Sequence, residues 1–266
     1  MGRLRLAIPL FAIVALGLVG IAPALAAPAG YTALGDSYAS GVGTRNYLSD
    51  SGSCLRSPFA YPVLTANSIG AQLTFAACSG ARIADVNNQI GSLSAATGYV
   101  TISIGGNDAG FVKVITSCAR PWPWTCWGDI DNANNFIRNT LPGQLDGVYD
   151  TIRARAPNAN VIVVGYPRIF NGQECNFGAR ISSGEQAELN KSADLLTTTI
   201  GGRAAAHGFG FVDPRSAFTG HAICDAAEWV NGLSDPIMES YHPNRSGQTG
   251  IGQLLRVRLG VPVNAA

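Results

Sequence analysis

Tyr31-Thr32-Ala33-Leu34-Gly35-Asp36-Ser37-Tyr38-Ala39-Ser40-Gly41 is a short run with apolar and β-branched residues that breaks into a glycine, an acid and a serine, and then into small residues. A strand that hands over to a turn and then to a helix is the first half of a βα unit. The same handover recurs down the chain. Runs at 31–34, 72–77, 99–104 and 160–165 are rich in Val, Ile, Thr and Tyr or Phe, and each stops at a glycine-containing or polar turn. A fifth run, at 209–212, stops at Asp213-Pro214. Between these runs lie longer segments with helical spacing, an alternation that predicts a parallel sheet covered by helices on both faces.

The intervening segments carry their own start and stop signals. Ser183, with Gln186 three residues on, opens a stretch that sets Leu189, Ala193, Leu196 and Ile200 on one face, and Gly201-Gly202 or Gly208 offers its end. Pro142 suits a first helical turn, with Leu145, Val148 and Ile152 turned inward before Pro157. A last helix is expected over 246–259, after the turn His242-Pro243-Asn244. The segment 118–127 is of another kind. It crowds Trp122, Trp124 and Trp127 among prolines and two cysteines, which predicts an irregular loop.

The chain of 266 residues opens with Arg3 and Arg5, an apolar stretch from Leu6 to Ile21, and then Ala24-Leu25-Ala26. That is the pattern of a secretory signal peptide cut after Ala26, and Pro9 with the small cleavage-site residues argues against a retained anchor. Cleavage removes two arginines and no acid, so the 18 basic and 17 acidic groups become 16 and 17, a net charge of −1. Such a balance gives no footing for a nucleic-acid or acidic-membrane partner. The remaining 27–266 suit one α/β domain.

Cys54, Cys78, Cys118, Cys126, Cys175 and Cys224 all follow the expected cleavage point, and an exported chain oxidises its cysteines. Three bridges follow. Fifteen pairings are possible, of which pairing nearest neighbours closes the shortest loops. No C-x-x-C occurs, and His207, His221 and His242 are not at ligand spacing, so no metal is expected.

Ser37 stands where α/β sheets place their ligands, at the carboxyl end of a strand, although Asp and Ser are also ordinary helix caps. It is not the G-x-S-x-G elbow, because Ala39 stands where the second glycine would be. The next strand leads into Cys78-Ser79-Gly80-Ala81, and the one after it into Gly105-Gly106-Asn107-Asp108. An oxyanion needs donors fixed before charge develops. The Ser37 amide, the Gly80 amide and the Asn107 side chain could converge on that rim, although a turn glycine and a capping amide explain the last two equally well. A serine hydroxyl also needs a base. Of the three histidines only His242 stands on a polar, proline-flanked loop that could share the rim.

Taken together, Gly35-Asp36-Ser37, Gly80, Gly106-Asn107-Asp108 and His242-Pro243-Asn244 resemble, in order and rough spacing, the blocks of the GDSL or SGNH hydrolases, and most of all their secreted actinobacterial lipases and phospholipases. The resemblance covers the chain from Tyr31 to the final helix. It implies a three-layer α/β/α sandwich of flavodoxin-like type with five parallel strands, and disulfides paired in sequence order. It also implies Ser37 as nucleophile and amide donor, Gly80 and Asn107 as further oxyanion donors, and His242 as general base. Many relatives carry Asp three residues before the histidine, where this chain has Glu239. Either that carboxylate completes a triad, or a backbone carbonyl of 239–240 orients the ring.

The expected activity is secreted hydrolysis of lipid carboxylic esters, namely acylglycerols, aryl esters and phospholipid acyl esters, by a monomer that uses no cofactor and keeps no membrane anchor. Trp122 and Trp124, with Trp127, are candidates for an apolar wall against acyl chains, or else pack on the body of the domain. Two other classes compete: an esterase of acetylated or feruloylated polysaccharides, and a non-catalytic secreted binding protein on the same fold.

Overall fold

Strands form at all five β-branched runs: β1 (Gly30–Gly35), β2 (Gln72–Phe75), β3 (Thr97–Ser103), β4 (Asn160–Val164) and β5 (Gly210–Val212). The computed structural model describes Gly2 and residues 29–261 apart from 122, 176, 177 and 179. The expected signal peptide, save Gly2, and Trp122 lie outside these residues. The strands make one parallel sheet in the order β2-β1-β3-β4-β5. The chain therefore steps from β1 to one side and returns to the other. Between β1 and β3 the strand order reverses, and a crevice opens beyond their carboxyl ends.

Among the described residues eight α-helices accompany the strands: α1 (Ser37–Ser40), α2 (Tyr61–Ile69), α3 (Ile83–Ile90), α4 (Phe111–Cys118), α5 (Trp127–Asn139), α6 (Leu141–Arg155) and α7 (Ser183–Ala206) between them, and α8 (Arg245–Arg258) after the last. Alternation along β4 decides which layer each covers. Val161 and Val163 face Val86 and Ile90 of α3, Leu145 and Ile152 of α6 and Ile200 of α7. Ile162 and Val164 face the opposite way, into the core that holds Tyr61 of α2 and Ile251 and Leu255 of α8. Full burial of each such aliphatic side chain stabilises the fold by roughly 1.5–3 kcal/mol. The result is the α/β/α sandwich expected.

Two details of the helices depart from expectation. Ser182, not Ser183, caps α7, its Oγ accepting from the Glu185 amide while the Glu185 carboxylate accepts from the Ser182 amide. The capping box thus lies one residue earlier than the Ser183–Gln186 pair predicted. Gly201-Gly202 does not end α7, which runs on to Ala206. A Cβ at Gly201 would lie 2.8 Å from the Phe211 ring, so the glycine lets the helix pass close over β5. The loop at 118–127 is irregular only inside its ends, because Cys118 closes α4 and Trp127 opens α5.

The disulfides join Cys54 to Cys78, Cys118 to Cys126 and Cys175 to Cys224. The first lies beneath the rim, for it ties the loop after α1 to the turn that follows β2.

Candidate active site

β1 delivers Ser37 to the crevice through a backbone only glycine fits. Gly35 has φ +128°, and a Cβ there would lie 2.4 Å from the Ser103 carbonyl at the end of β3. Gln89 of α3 holds both polar groups of this residue. Its Oε1 accepts from the Gly35 amide at 2.7 Å and its Nε2 donates to the Gly35 carbonyl at 2.9 Å. Asp36 then caps α1, accepting from the Tyr38 amide at 3.0 Å, while its other carboxylate oxygen accepts from the Tyr166 hydroxyl. Burial pushes the Asp36 carboxyl up to about 7, against the pull of those hydrogen bonds. Ser37 follows directly, 7% exposed, with its hydroxyl turned into the crevice.

The imidazole of His242 lies against that hydroxyl, with Nε2 2.8 Å from Ser37 Oγ across 205 positions of sequence. Its Nδ1 lies 2.8 Å from the Ser240 carbonyl. A carbonyl only accepts, so Nδ1 carries the proton and Nε2 presents its lone pair to the serine. Tyr241 makes this curl possible by adopting φ +61°, a left-handed conformation that costs roughly 1 kcal/mol or more in a bulky residue. Neighbours hold it there. The Tyr241 amide donates to the Asn231 carbonyl, the Asn231 amide to the His242 carbonyl, and the Tyr38 hydroxyl to the Tyr241 carbonyl. Desolvation pushes the His242 pKa down to about 4, with the Ser240 carbonyl and the Glu239 charge pulling the other way.

The structure does not bring Glu239 to the ring. Its carboxylate, 1% exposed, accepts from the Tyr47 hydroxyl at 2.5 Å, and its second oxygen has no partner among the described residues. Of the two arrangements left open by the sequence, the geometry is that of the backbone carbonyl. Glu239→Gln keeps an acceptor for Tyr47 and removes the charge, so kcat should stay within about tenfold of wild type. A fall of about four orders of magnitude, the size expected when a triad carboxylate is lost, would restore Glu239 as the orienting group.

Of the expected donors, the Ser37 and Gly80 amides make no hydrogen bond among the described residues. Asn107 Nδ2 donates one hydrogen to the Ala81 carbonyl at 2.9 Å, leaving its second. Asn107, Ser37 and His242 line the same crevice. Gly80 is not part of that lining, but its neighbour Ala81 is the residue that Asn107 grips, and Asp108 accepts from the Ile83 amide behind it. The turns after β2 and β3 are thus tied to each other.

From Ser37 the crevice runs on as an apolar trough. Phe111 and Val114 of α4, Ile137 of α5 and Leu189 and Leu196 of α7 form much of its walls. Trp124 and Trp127, two of the candidates for that wall, do not. Trp124 is 61% exposed with its ring under the Arg120 guanidinium, and neither it nor Trp127 lines the trough. Sequence reasoning missed the trough because its walls are the edges of amphipathic helices, whose apolar residues look like any core face. His207 and His221 stand elsewhere, the first on Asp146 and the second stacked on Trp229.

A sequence model described as the GDSL-like Lipase/Acylhydrolase family matches residues 33–249. Lipase 1 of Streptomyces coelicolor is 49% identical over 243 residues, covering 88% of this chain and 89% of its own. The crystal structure of an extracellular lipase from Streptomyces rimosus superposes with a TM-score of 0.82 at 44% identity, over 86% of this chain and 99% of that one. A phospholipase A1 structure from Streptomyces albidoflavus NA297 gives the same TM-score of 0.82 and 44% identity, over 87% of this chain and 100% of that one.

Proposed function

The chain belongs to the GDSL-like lipase/acylhydrolase family, and on that premise we propose that it hydrolyses carboxylic esters of lipids by acyl transfer through Ser37. The observation that carries this reading is the 2.8 Å contact between Ser37 Oγ and a His242 ring whose tautomer is already set, at the mouth of an apolar trough. His242 Nε2 takes the hydroxyl proton as Oγ attacks the acyl carbon. The Ser37 and Gly80 amides and Asn107 Nδ2 receive the oxyanion, and the imidazolium returns its proton to the leaving alcohol. Water then repeats the sequence on the acyl-enzyme.

The trough gives the substrate its class. An acyl chain laid along Phe111, Val114, Ile137, Leu189 and Leu196 leaves water as its carbonyl reaches Ser37, and each buried methylene contributes about 0.8 kcal/mol. The relatives named as a lipase and a phospholipase A1 make acylglycerols and phospholipid acyl esters the natural candidates. We further propose that residues 1–26 are a signal peptide removed on export, that 27–266 form one domain, and that the monomer is the working unit. Three disulfides and a relative described as extracellular support export. Because the nucleophile, base and donors all stand on one chain, the chemistry itself requires no second copy.

A panel of aryl esters from acetyl to palmitoyl, with triolein, phosphatidylcholine and acetylated xylan, tests the reading. Rates per enzyme should rise with chain length beyond acetyl, and fatty acid should be released from both lipids. Preference for acetylated xylan would transfer the protein to the carbohydrate esterases.

A further inference from the structure

We propose that Tyr166 is a positioning residue for the oxyanion site, fixing Gly106 so that the neighbouring Asn107 amide is aimed beside Ser37. The inference rests on the acyl-transfer reading above. Tyr166 comes from the loop after β4, far in sequence from every block that suggested the chemistry, yet its phenol joins two of the three rim turns. Its oxygen accepts from the Gly106 amide at 3.2 Å and its proton goes to the buried Asp36 carboxylate. A hydroxyl has one proton and two lone pairs, so one group satisfies both neighbours at once. The chain Gly106 N–H to Tyr166 O–H to Asp36 to Tyr38 N–H therefore spans from the residue before Asn107 to the residue after Ser37.

The ring adds contact to this polar chain. A Cβ on Gly106 would lie 3.2 Å from Tyr166 Cζ, so the turn rests directly on the phenol. The ring also meets Tyr38 edge-on at 5.0 Å, and the Tyr38 hydroxyl holds the carbonyl that precedes His242. Tyr166 is itself clamped. Thr197 Oγ1 on α7 accepts from its amide at 2.9 Å and donates to its carbonyl at 2.8 Å. Without the hydroxyl, the Gly106 amide and the Asp36 carboxylate each lose a partner in a buried place, and the turn that bears Asn107 is free to shift. A displacement of about 1 Å in such a group costs roughly a hundredfold in rate.

The test is a double-mutant cycle of Tyr166→Phe and Asn107→Ala on a short aryl ester, which does not reach along the trough. Tyr166→Phe should lower kcat roughly 10- to 100-fold with KM within about threefold, and on the Asn107→Ala background the same change should lower kcat by less than about threefold. Full multiplication of the two effects, or an unchanged kcat in Tyr166→Phe, would overturn the inference while leaving the acyl-transfer reading intact. A harmless Asn107→Ala would instead sink the oxyanion role on which it rests. Thr197→Val, which loosens the clamp and keeps the phenol, gives a second entry into the cycle should Tyr166→Phe not fold. It should show the same kcat loss and the same non-additivity, and multiplicative behaviour there overturns the inference as well.

Discussion

Ser37→Ala is expected to lower kcat/KM on every ester by about four orders of magnitude or more, with the protein still folded. Among the described residues the hydroxyl makes one hydrogen bond, to His242, so its loss costs about 1 kcal/mol of stability and shifts the thermal midpoint by roughly 2–4 °C. No neighbour can replace it as nucleophile. The Tyr38 hydroxyl donates to the Tyr241 carbonyl, and Ser40, the other serine of α1, is fully buried and donates to the Ser37 carbonyl. Covalent labelling by a fluorophosphonate should vanish with the hydroxyl. In wild type the same reaction reports the base. Because desolvation pushes His242 down to about 4, the ring stays unprotonated, and the enzyme active, well below the ordinary histidine value of 6.5. Going down in pH, kcat/KM should therefore hold until it falls near about pH 4. A folded Ser37→Ala variant that turns over ester would remove the nucleophile assignment, and an acid limb near 6.5–7 would mean either that the ring is hydrated in the working enzyme or that protonation of Asp36, which burial pushes up to about 7, disturbs the rim.

The parts of this site that lie on strand ends were legible in the sequence, because a β-branched run followed by Gly-Asp-Ser or Gly-Gly-Asn marks both the element and its rim. His242 was legible for a similar reason, standing alone among polar and proline neighbours before a helix. What orients it was not. The Ser240 carbonyl reaches Nδ1 only because Tyr241 is left-handed, and tyrosine gives no sign of such a backbone where glycine or asparagine would. Glu239 drew attention by its spacing, but its carboxylate answers to Tyr47, from a loop that no local pattern connects to it. The same physics misled at Gly201, where a residue that usually breaks helices instead makes room for Phe211. Tyr166 and the trough share a deeper difficulty. They are assembled by the sheet's crossovers from β4, α4, α5 and α7, and each contributing residue looks like ordinary core. Trp124 and Trp127, by contrast, stood out as residues and lie outside the trough.

Asn107→Ala is the second large effect, a loss of roughly 100- to 1,000-fold in kcat, equal to about 2.7–4 kcal/mol of transition-state stabilisation, with KM nearly unchanged. The split follows from when the interaction forms. In the resting site one Nδ2 hydrogen is committed to the Ala81 carbonyl, which fixes the direction of the other, and that second hydrogen meets full negative charge only as the tetrahedral oxygen develops. Substrate binding hardly senses it. The Ser37 and Gly80 amides remain in the variant, so the residual rate should stay far above that of Ser37→Ala. The Ala81 contact is also lost, so the thermal midpoint must be measured beside the rate. A midpoint within a few degrees together with a hundredfold fall in kcat assigns the loss to the reaction. A fall of less than tenfold would reduce Asn107 to a brace for the turn at Ala81, leaving two backbone amides to hold the charge.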